Sequence, residues 1–347
     1  YARANLSPEK VGIILRNADA GDTTAQFELW EKVEQDPRVG RLYLRRRQAV
    51  LCNPLRFKPR NPDDPRAVEA ADLCQAAILG GEFRGGELEG IRDLDSGLFS
   101  LTDAIGKAFA VAKVRWEVDG SLILPTHLDS WPQAQFLLGD SSQYMAQDHD
   151  EIRVITDDEW NGKSLADFPD GSWIAHVQKT FSQPIARAGM FRSVTWYWMF
   201  KTFGMGDWSI LLERYGIPPR KGTYDKSADP KEQQELWTAL LNMGKDHACM
   251  VPAGSTIELI EQKGQGAGGA PHPALVKHCN EEIAVAIAGN TMEVDQGDRG
   301  ARSAKEAYMS EDLVQAKYDA NGAGHGGGGL AGTIAAQLCR PLIRLNL

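Results

Sequence analysis

The sequence has no long apolar run free of charge. Its most aromatic stretch, "TWYWMFKTFGMGDW" (Thr195–Trp208), is interrupted by Lys201 and flanked by Arg187, Arg192, Asp207 and Glu213. As a helix, Phe191–Phe203 reaches only about 20 Å at ~1.5 Å per residue, short of a bilayer core ~30 Å thick. A membrane segment is therefore excluded. Positive charge is in short supply too: 38 Lys and Arg stand against 47 Asp and Glu, a formal net charge of −9. No basic patch of the kind that grips nucleic acid stands out. An acidic protein can still handle DNA if it lets DNA slide rather than holding it. The five cysteines (Cys52, Cys74, Cys249, Cys279 and Cys339) are scattered, without CxxC or Cys/His ligand spacing. They predict reduced, partly buried thiols in a cytoplasmic protein. No signal peptide is visible, and a chain that starts at Tyr1 is expected to be a piece of a longer product.

Catalytic signatures are missing as well. "HGGGG" (His325–Gly329) imitates the oxyanion loop of lipases, but no GxSxG occurs, so the stretch is read as a hinge. GxxxxGK[ST] is absent, so no ATP-driven motor is encoded. The seven histidines show no HExxH, and His272 and His278, six apart, are poorly spaced as ligands. The carboxylates of "DDEW" and "EWNGKS" have no paired partner in the sequence. The expectation is a non-enzyme without cofactor or metal. One enzymatic alternative stays open. "GQGAGG" (Gly264–Gly269) fits GxGxxG through Gly264, Gly266 and Gly269, as in a nucleotide- or dinucleotide-binding enzyme. Against it, Pro271 and Pro273 follow at once, and Glu281 and Glu282 lie inside the next predicted helix instead of ending a strand. A glycine-rich flexible loop is the simpler reading.

What is present is a folded composition, 42% apolar and 24% charged, long enough for two domains or one elongated architecture. Ser7-Pro8 opens a first helix, Asp22 or Thr23 caps a second, and Asp36-Pro37 marks the break before a third. In that third helix Val39, Leu42, Tyr43, Arg46 and Val50 fall at helical spacing, and Arg45-Arg46-Arg47 is read as a solvated face. A short strand around Leu55–Lys58 and a helix from Arg66 follow. A further helix runs into a strand at Val114–Val118, and short strands continue to 178. From Gln183 to Tyr215 the pattern is helical, with a kink expected at Gly204–Gly206. Then come a turn and strand, and an amphipathic helix capped by Asp229 with Pro230 at its start. Two short strands flank a Pro-Ala-Gly turn, and the next helix carries Leu275, Cys279, Ile283 and Ile287. A polar loop (290–302), a helix, a second flexible loop and a last helix complete an α+β chain.

The order of these segments carries a resemblance. "FGMGDWSILLERYGIPPRKGTY", "PKEQQELWTALLNMG", "ACMVPAGSTIELIE", "ALVKHCNEEIAVAIAGNTM" and "SAKEAYMSEDL" together resemble the portal proteins of Mu-like tailed bacteriophages. The N-terminal "FELWEKVEQDPRVGRLYLRRRQAVLCNPLRFKP" is similar too, so the resemblance spans nearly the whole chain. It implies a portal fold that assembles into a ring, normally a dodecamer, at one capsid vertex. The wing would be 1–185, the segment 186–215 would lead into and form the first stem helix, and 216–265 would be the clip. The second stem helix would be 273–289 and the tunnel loop 290–302. Residues 303–347 would be a long helix and a return to the wing, with a crown beyond Leu347. The resemblance places Glu293, Asp295, Gln296, Asp298 and Arg299 against passing DNA, and Arg220, Lys221, Tyr224 and Trp237 at the clip where partners dock.

The implied partners are the major capsid protein, the terminase large subunit (transiently), a head–tail adaptor, and double-stranded DNA passing without sequence specificity. The implied location is the virion portal vertex, with the host cytoplasm during assembly. A monomeric virion adaptor or scaffold remains the other non-enzymatic alternative. A ring subunit buries two side faces, so its helices can be apolar nearly all round. Trp196, Tyr197, Trp198, Phe203 and Trp208 are therefore expected at the subunit boundary, with one face of their helix in the wing core. That all six aromatics of the stretch, Phe200 included, are core within one chain remains open. Repeated twelve times, the net charge gives roughly a hundred negative charges, which repel the phosphates in the channel.

Overall fold

The computed structural model describes residues 7–139, 150–156, 159–216, 220–224, 229–242, 256–259, 271–290, 302–322 and 328–347. The chain divides into two compact units, Asn5–Met199 with Asn280–Leu347, and Phe200–Cys279.

The larger unit begins with α1 (Pro8–Asp19), α2 (Thr24–Glu34) and α3 (Pro37–Leu51). The Ser7 hydroxyl accepts the Lys10 N–H at 3.2 Å, and Asp36 accepts the N–H groups of Arg38 and Val39 at 2.9 and 3.3 Å. Each cap is followed by proline, whose missing donor costs nothing in a first turn. Thr23 does not cap α2; its buried hydroxyl donates to the Phe136 carbonyl. The segment expected as a strand at Leu55–Lys58 is irregular, bounded by Pro54 and Pro59, which cannot donate to a ladder. α4 (Pro65–Leu79) starts from Asp64 and is followed by a hairpin, β1 (Gly81–Phe83) and β2 (Gly86–Leu88). Its two-residue turn has positive φ at both Arg84 (49°) and Gly85 (81°), the backbone that matches strand twist and that glycine adopts without cost.

α5 (Leu94–Leu101) and α6 (Ala104–Lys107) lead into β3 (Phe109–Asp119), which begins five residues before the expected strand. β3 pairs with β4 (Leu122–Trp131). β5 (Phe136–Leu138), β6 (Ile152–Thr156) and β7 (Glu159–Ser164) form a second antiparallel sheet in that order. β8 (Trp173–Val177) returns to the other edge of β3, giving the order β4-β3-β8. α7 (Ile185–Ala188) precedes α8 (Phe191–Gly216). The core is a relay of edge-to-face aromatics: Trp30 on Phe27 at 5.3 Å, Phe27 on Phe109 at 5.4 Å, Phe109 on Phe136 at 6.1 Å. Tyr43 and Phe191 join it at 4.8 Å. Gly106 lets the Tyr43 ring approach; a Cβ there would lie 2.9 Å from it.

The smaller unit holds α8 from Phe200 onward, β9 (Arg220–Thr223), α9 (Pro230–Asn242), β10 (Thr256–Leu259) and the start of α10 (Pro271–Ala288). Helix α8 continues without interruption through Gly204–Gly206. Gly204 serves packing: a Cβ there would sit 3.0 Å from Leu275 of α10. β9 and β10 pair antiparallel. The Glu232 carboxylate accepts the Asp229 N–H at 3.2 Å, half of a capping box for α9. The strand expected before the Pro-Ala-Gly turn lies outside the described residues.

The larger unit resumes with the end of α10, then α11 (Arg302–Asn321), α12 (Gly329–Ile334), a π-helical turn (Ala335–Cys339) and α13 (Arg340–Asn346). This C-terminal segment clasps both edges of the β4-β3-β8 sheet. The Gln337 amide accepts the Ala175 N–H at 2.6 Å and donates to its carbonyl at 3.1 Å, on β8. The Asn346 amide does the same to Ile123 on β4, at 2.7 and 2.9 Å. Side-chain amides thus occupy backbone groups that an open edge would offer to another chain.

Candidate functional site

The arginine run of α3 is where the sequence reading fails. Only Arg45 is a solvated residue, paired with Asp312 at 2.9 Å. Arg47 is buried: Nε donates to Thr102 Oγ1 at 3.0 Å, Nη2 to the Phe99 carbonyl at 2.7 Å, and the guanidinium lies 3.8 Å from the Phe99 ring centre. Arg46 grips Asp319 with two bonds, Nε at 2.8 Å and Nη2 at 3.1 Å, and its Nη1 donates to the Ile287 carbonyl at 3.0 Å. Asp319 is 1% exposed and also accepts from Gln178 at 2.5 Å and Gln315 at 2.9 Å. A planar guanidinium can be buried this way because its donors fork towards a carboxylate and carbonyls together. The result ties α3, β8's end and α11 to the last turn of α10. There Gly289, at φ 78°, closes the helix with its N–H on the Val285 carbonyl.

A second buried cluster joins Glu34, Asp103, Lys107 and Arg47. Lys107 Nζ lies 2.8 Å from Asp103 and 3.3 Å from Glu34, and Tyr43 and Gln133 donate to the same Asp103 carboxylate. Burial alone would raise the Asp103 carboxyl, but Lys107 and Arg47 beside it hold it below the usual carboxylate range. Burial and the Asp103 charge push the Tyr43 hydroxyl well up. Every charge here has a partner, so the cluster braces α2, α3 and α6 and offers no poised nucleophile or proton donor.

His176 on β8 is the third buried polar group. Its Nδ1 lies 2.9 Å from Thr333 Oγ1 and its Nε2 3.3 Å from Gln178 Oε1. Burial pushes its pKa down from 6.5 to about 4, against the opposing pull of Gln178 and Asp319. The unfolded chain therefore binds a proton below pH 6.5 that the folded chain refuses until about pH 4. The stabilisation is full above 6.5 and is lost as pH falls through that window, roughly 3 kcal/mol in all. The melting temperature of the larger unit is expected to fall between pH 6.5 and 4 more steeply than that of His176→Gln; parallel profiles would refute this.

The residues expected to face DNA, Glu293, Asp295, Gln296, Asp298 and Arg299, lie outside the described residues, as does the Gly264–Gly269 stretch. Of "HGGGG", Gly328 caps α12, and Gly329 (φ 66°) packs so close to Gly322 that a Cβ there would clash at 2.6 Å. Among the expected clip residues, Arg220 and Lys221 pair with Leu259 and Glu258 across the β9–β10 ladder. Tyr224 is 50% exposed and Trp237 58%. α9 buries Leu236 beside Gly222 and turns Trp237 and Leu241 outward one turn apart. The sequence reading missed Leu241, although its spacing from Trp237 carries the signal.

On α8, Trp196, Tyr197, Phe203 and Trp208 are half-buried and Phe200 is exposed. The six aromatics are therefore not all core within one chain. Trp198 is a correction in the other direction: already 7% exposed in a single chain, it has little surface left for a subunit contact. The helix turns it inward together with Phe191, Val194 and Met199. Among the described residues, no His/Cys/Asp/Glu group could hold a metal ion, and no helix is long and apolar enough to cross a membrane.

The family model for the portal protein of Mu bacteriophage matches residues 27–347. The portal protein of Escherichia phage Mu is 25% identical over the whole chain. The Mu-like prophage FluMu protein gp29 of Haemophilus influenzae (strain ATCC 51907 / DSM 11121 / KW20 / Rd) is 27% identical, also over the whole chain. The chain spans 62% of the length of each of these relatives. A chain of the virion of a native gene transfer agent particle has a similar fold, with a TM-score of 0.53 and 11% identity, over 84% of this chain and 74% of that one. A chain in the neck of an empty gene transfer agent particle, computed with C6 symmetry, scores 0.52 at 10% identity over 82% and 72%. With its α+β architecture and a family match running from α2 to the last residue, the chain belongs to the Mu bacteriophage portal protein family.

Proposed function

We propose that this chain is the subunit of a non-enzymatic ring at a capsid vertex, the conduit through which double-stranded DNA enters and leaves a phage head. The family match over residues 27–347 carries this reading. The surface supports it: α8 keeps aromatic area half-buried, and Phe200, Tyr224, Trp237 and Leu241 are exposed within one chain. Large half-buried aromatics suit interfaces, where Trp and Tyr are enriched. In this reading residues 1–185 are the wing and 303–347 return to it, α8 leads into and forms the first stem helix and α10 the second, and residues 216–265, which include β9, α9 and β10, are the clip. The segment 290–302 is the tunnel loop, and net negative charge lets DNA pass without being held. The ring would meet the major capsid protein at the vertex and assemble in the host cytoplasm. Its clip would dock the terminase large subunit during packaging and a head–tail adaptor afterwards.

The docking role of the clip is tested by the double variant Tyr224→Ser/Trp237→Ala, one residue just after β9 and one on α9. Rings are expected to form normally while adaptor binding weakens about 30-fold, the loss of ~2 kcal/mol that truncating a central interface aromatic brings. Adaptor binding at full strength would remove these residues from the docking surface.

A further inference from the structure

Between α3 and α4 the segment "PLRFKPR" (residues 54–60) alternates like a strand. Leu55, Phe57 and Pro59 are half-buried, while Arg56, Lys58 and Arg60 are exposed. That alternation marks extended backbone with one face on the protein. Among the described residues no hydrogen bond and no ion pair reaches residues 55–60. Three cations therefore share one face of a ribbon, roughly 7 Å from one to the next, with no counter-charge.

The β1–β2 hairpin carries the opposite sign. Its two strands form a sheet by themselves, so each keeps an unpaired outer edge among the described residues. Glu82 and Glu87 stand directly opposite each other, both exposed and neither in an ion pair among the described residues. Like charges placed opposite each other weaken a ladder. Phe83 and Leu88 are buried on the other face. Ribbon and hairpin thus share one pattern, apolar inward and charged outward, with opposite charge. No ion pair joins them within the chain among the described residues.

We propose that residues 55–58 of one subunit add as a third strand to the β1–β2 hairpin of a second copy of this chain. Arg56 and Lys58 then stand beside Glu82 and Glu87, and Leu55 and Phe57 fall on the side of Phe83 and Leu88. Pro54 and Pro59 bracket the ladder, because neither can donate to it. The contact joins two different surfaces, so it is head-to-tail, the kind that closes a ring. Nucleic acid is the poorer occupant, since Asp63 and Asp64 follow the ribbon at once and the chain carries a net charge of −9. The inference rests on the ring reading and names one of its contacts. It also accounts for the strand that the sequence predicts at 55–58, whose partner would belong to another chain.

The test is the light-scattering mass of the purified protein at one fixed concentration. The parent is measured beside Arg56→Glu/Lys58→Glu, Glu82→Lys/Glu87→Lys and the quadruple variant that combines them. Each double reversal is expected to keep the parent's melting midpoint and to lower the assembled fraction about tenfold, because it sets like charges side by side. The quadruple variant is expected to assemble like the parent. An equimolar mixture of the two double variants is expected to assemble as well, each supplying the charge the other needs, which no effect inside one chain would produce. If the parent assembles and both reversals assemble equally, the contact is overturned and the ring stands. Failure of both the quadruple variant and the mixture would overturn it too. Loss of binding to a short DNA duplex in Arg56→Glu/Lys58→Glu, with assembly unchanged, would assign the ribbon to nucleic acid instead. A monomeric parent would overturn the ring reading and this contact with it.

Discussion

Replacing Asp319 with Ala is expected to destabilise the larger unit by about 3 kcal/mol or more. Its carboxylate has a fully buried side chain and takes bonds from Arg46, Gln178 and Gln315. Without it, Arg46, whose side chain is 16% exposed, is left with its charge unpaired between α3 and α11. The cost comes from the stranded charge more than from the lost attraction, since burying an ion pair nearly cancels its own Coulomb gain. The double variant Arg46→Met/Asp319→Leu is therefore expected to recover most of the loss. Chemical denaturation of the three proteins checks this. If Asp319→Ala lies within 1 kcal/mol of the parent, or the double variant is the least stable, Arg46 is not held as described.

The second large effect is at Trp198. Truncation to Ala should cost ~3–5 kcal/mol, the usual range for a large buried aromatic, because the surrounding helix cannot collapse into the space. Trp198 is 7% exposed before any subunit contact forms, so the cost should appear in the isolated chain. Trp196 and Tyr197 are the contrast: both are half-buried on the same helix. Trp196→Ala/Tyr197→Ala is expected to lose less folding stability than Trp198→Ala and more ring yield. Comparing denaturation midpoints with the ring fraction in size-exclusion chromatography separates the two roles. Normal folding of Trp198→Ala, or unchanged ring yield of the pair, would reverse the assignment.

The sequence discloses what is local. Ser7-Pro8, Asp36-Pro37 and Asp229-Pro230 mark helix starts because a cap and a proline act within one turn. The outward turn of Trp237 is legible in the helical spacing, since α9 buries Leu236 and leaves Trp237 exposed; its docking role comes from the resemblance alone. The fates of Arg46 and Arg47 are not legible. Asp319 is 273 positions from Arg46, and nothing near the arginines announces it. Burial of a charge is decided by partners that folding supplies, so spacing alone suggests the solvated face. The β1–β2 hairpin escapes because three-residue strands rich in glycine and glutamate carry almost no alternation. β3 begins earlier than expected because Phe109–Ala112 are buried, which removes the alternation that marks a strand start. Edge protection by Gln337 and Asn346 is invisible for the same reason as Arg46: both amides act on strands far away in sequence.

The central claim is that this chain closes into a ring. Negative-stain electron microscopy of the purified protein, with mass from light scattering on the same sample, tests it most directly. Closed rings with a central hole and a mass of about twelve copies are the expected result, since a head-to-tail contact that closes gives cyclic symmetry. A compact monomer or dimer in both readouts would contradict it.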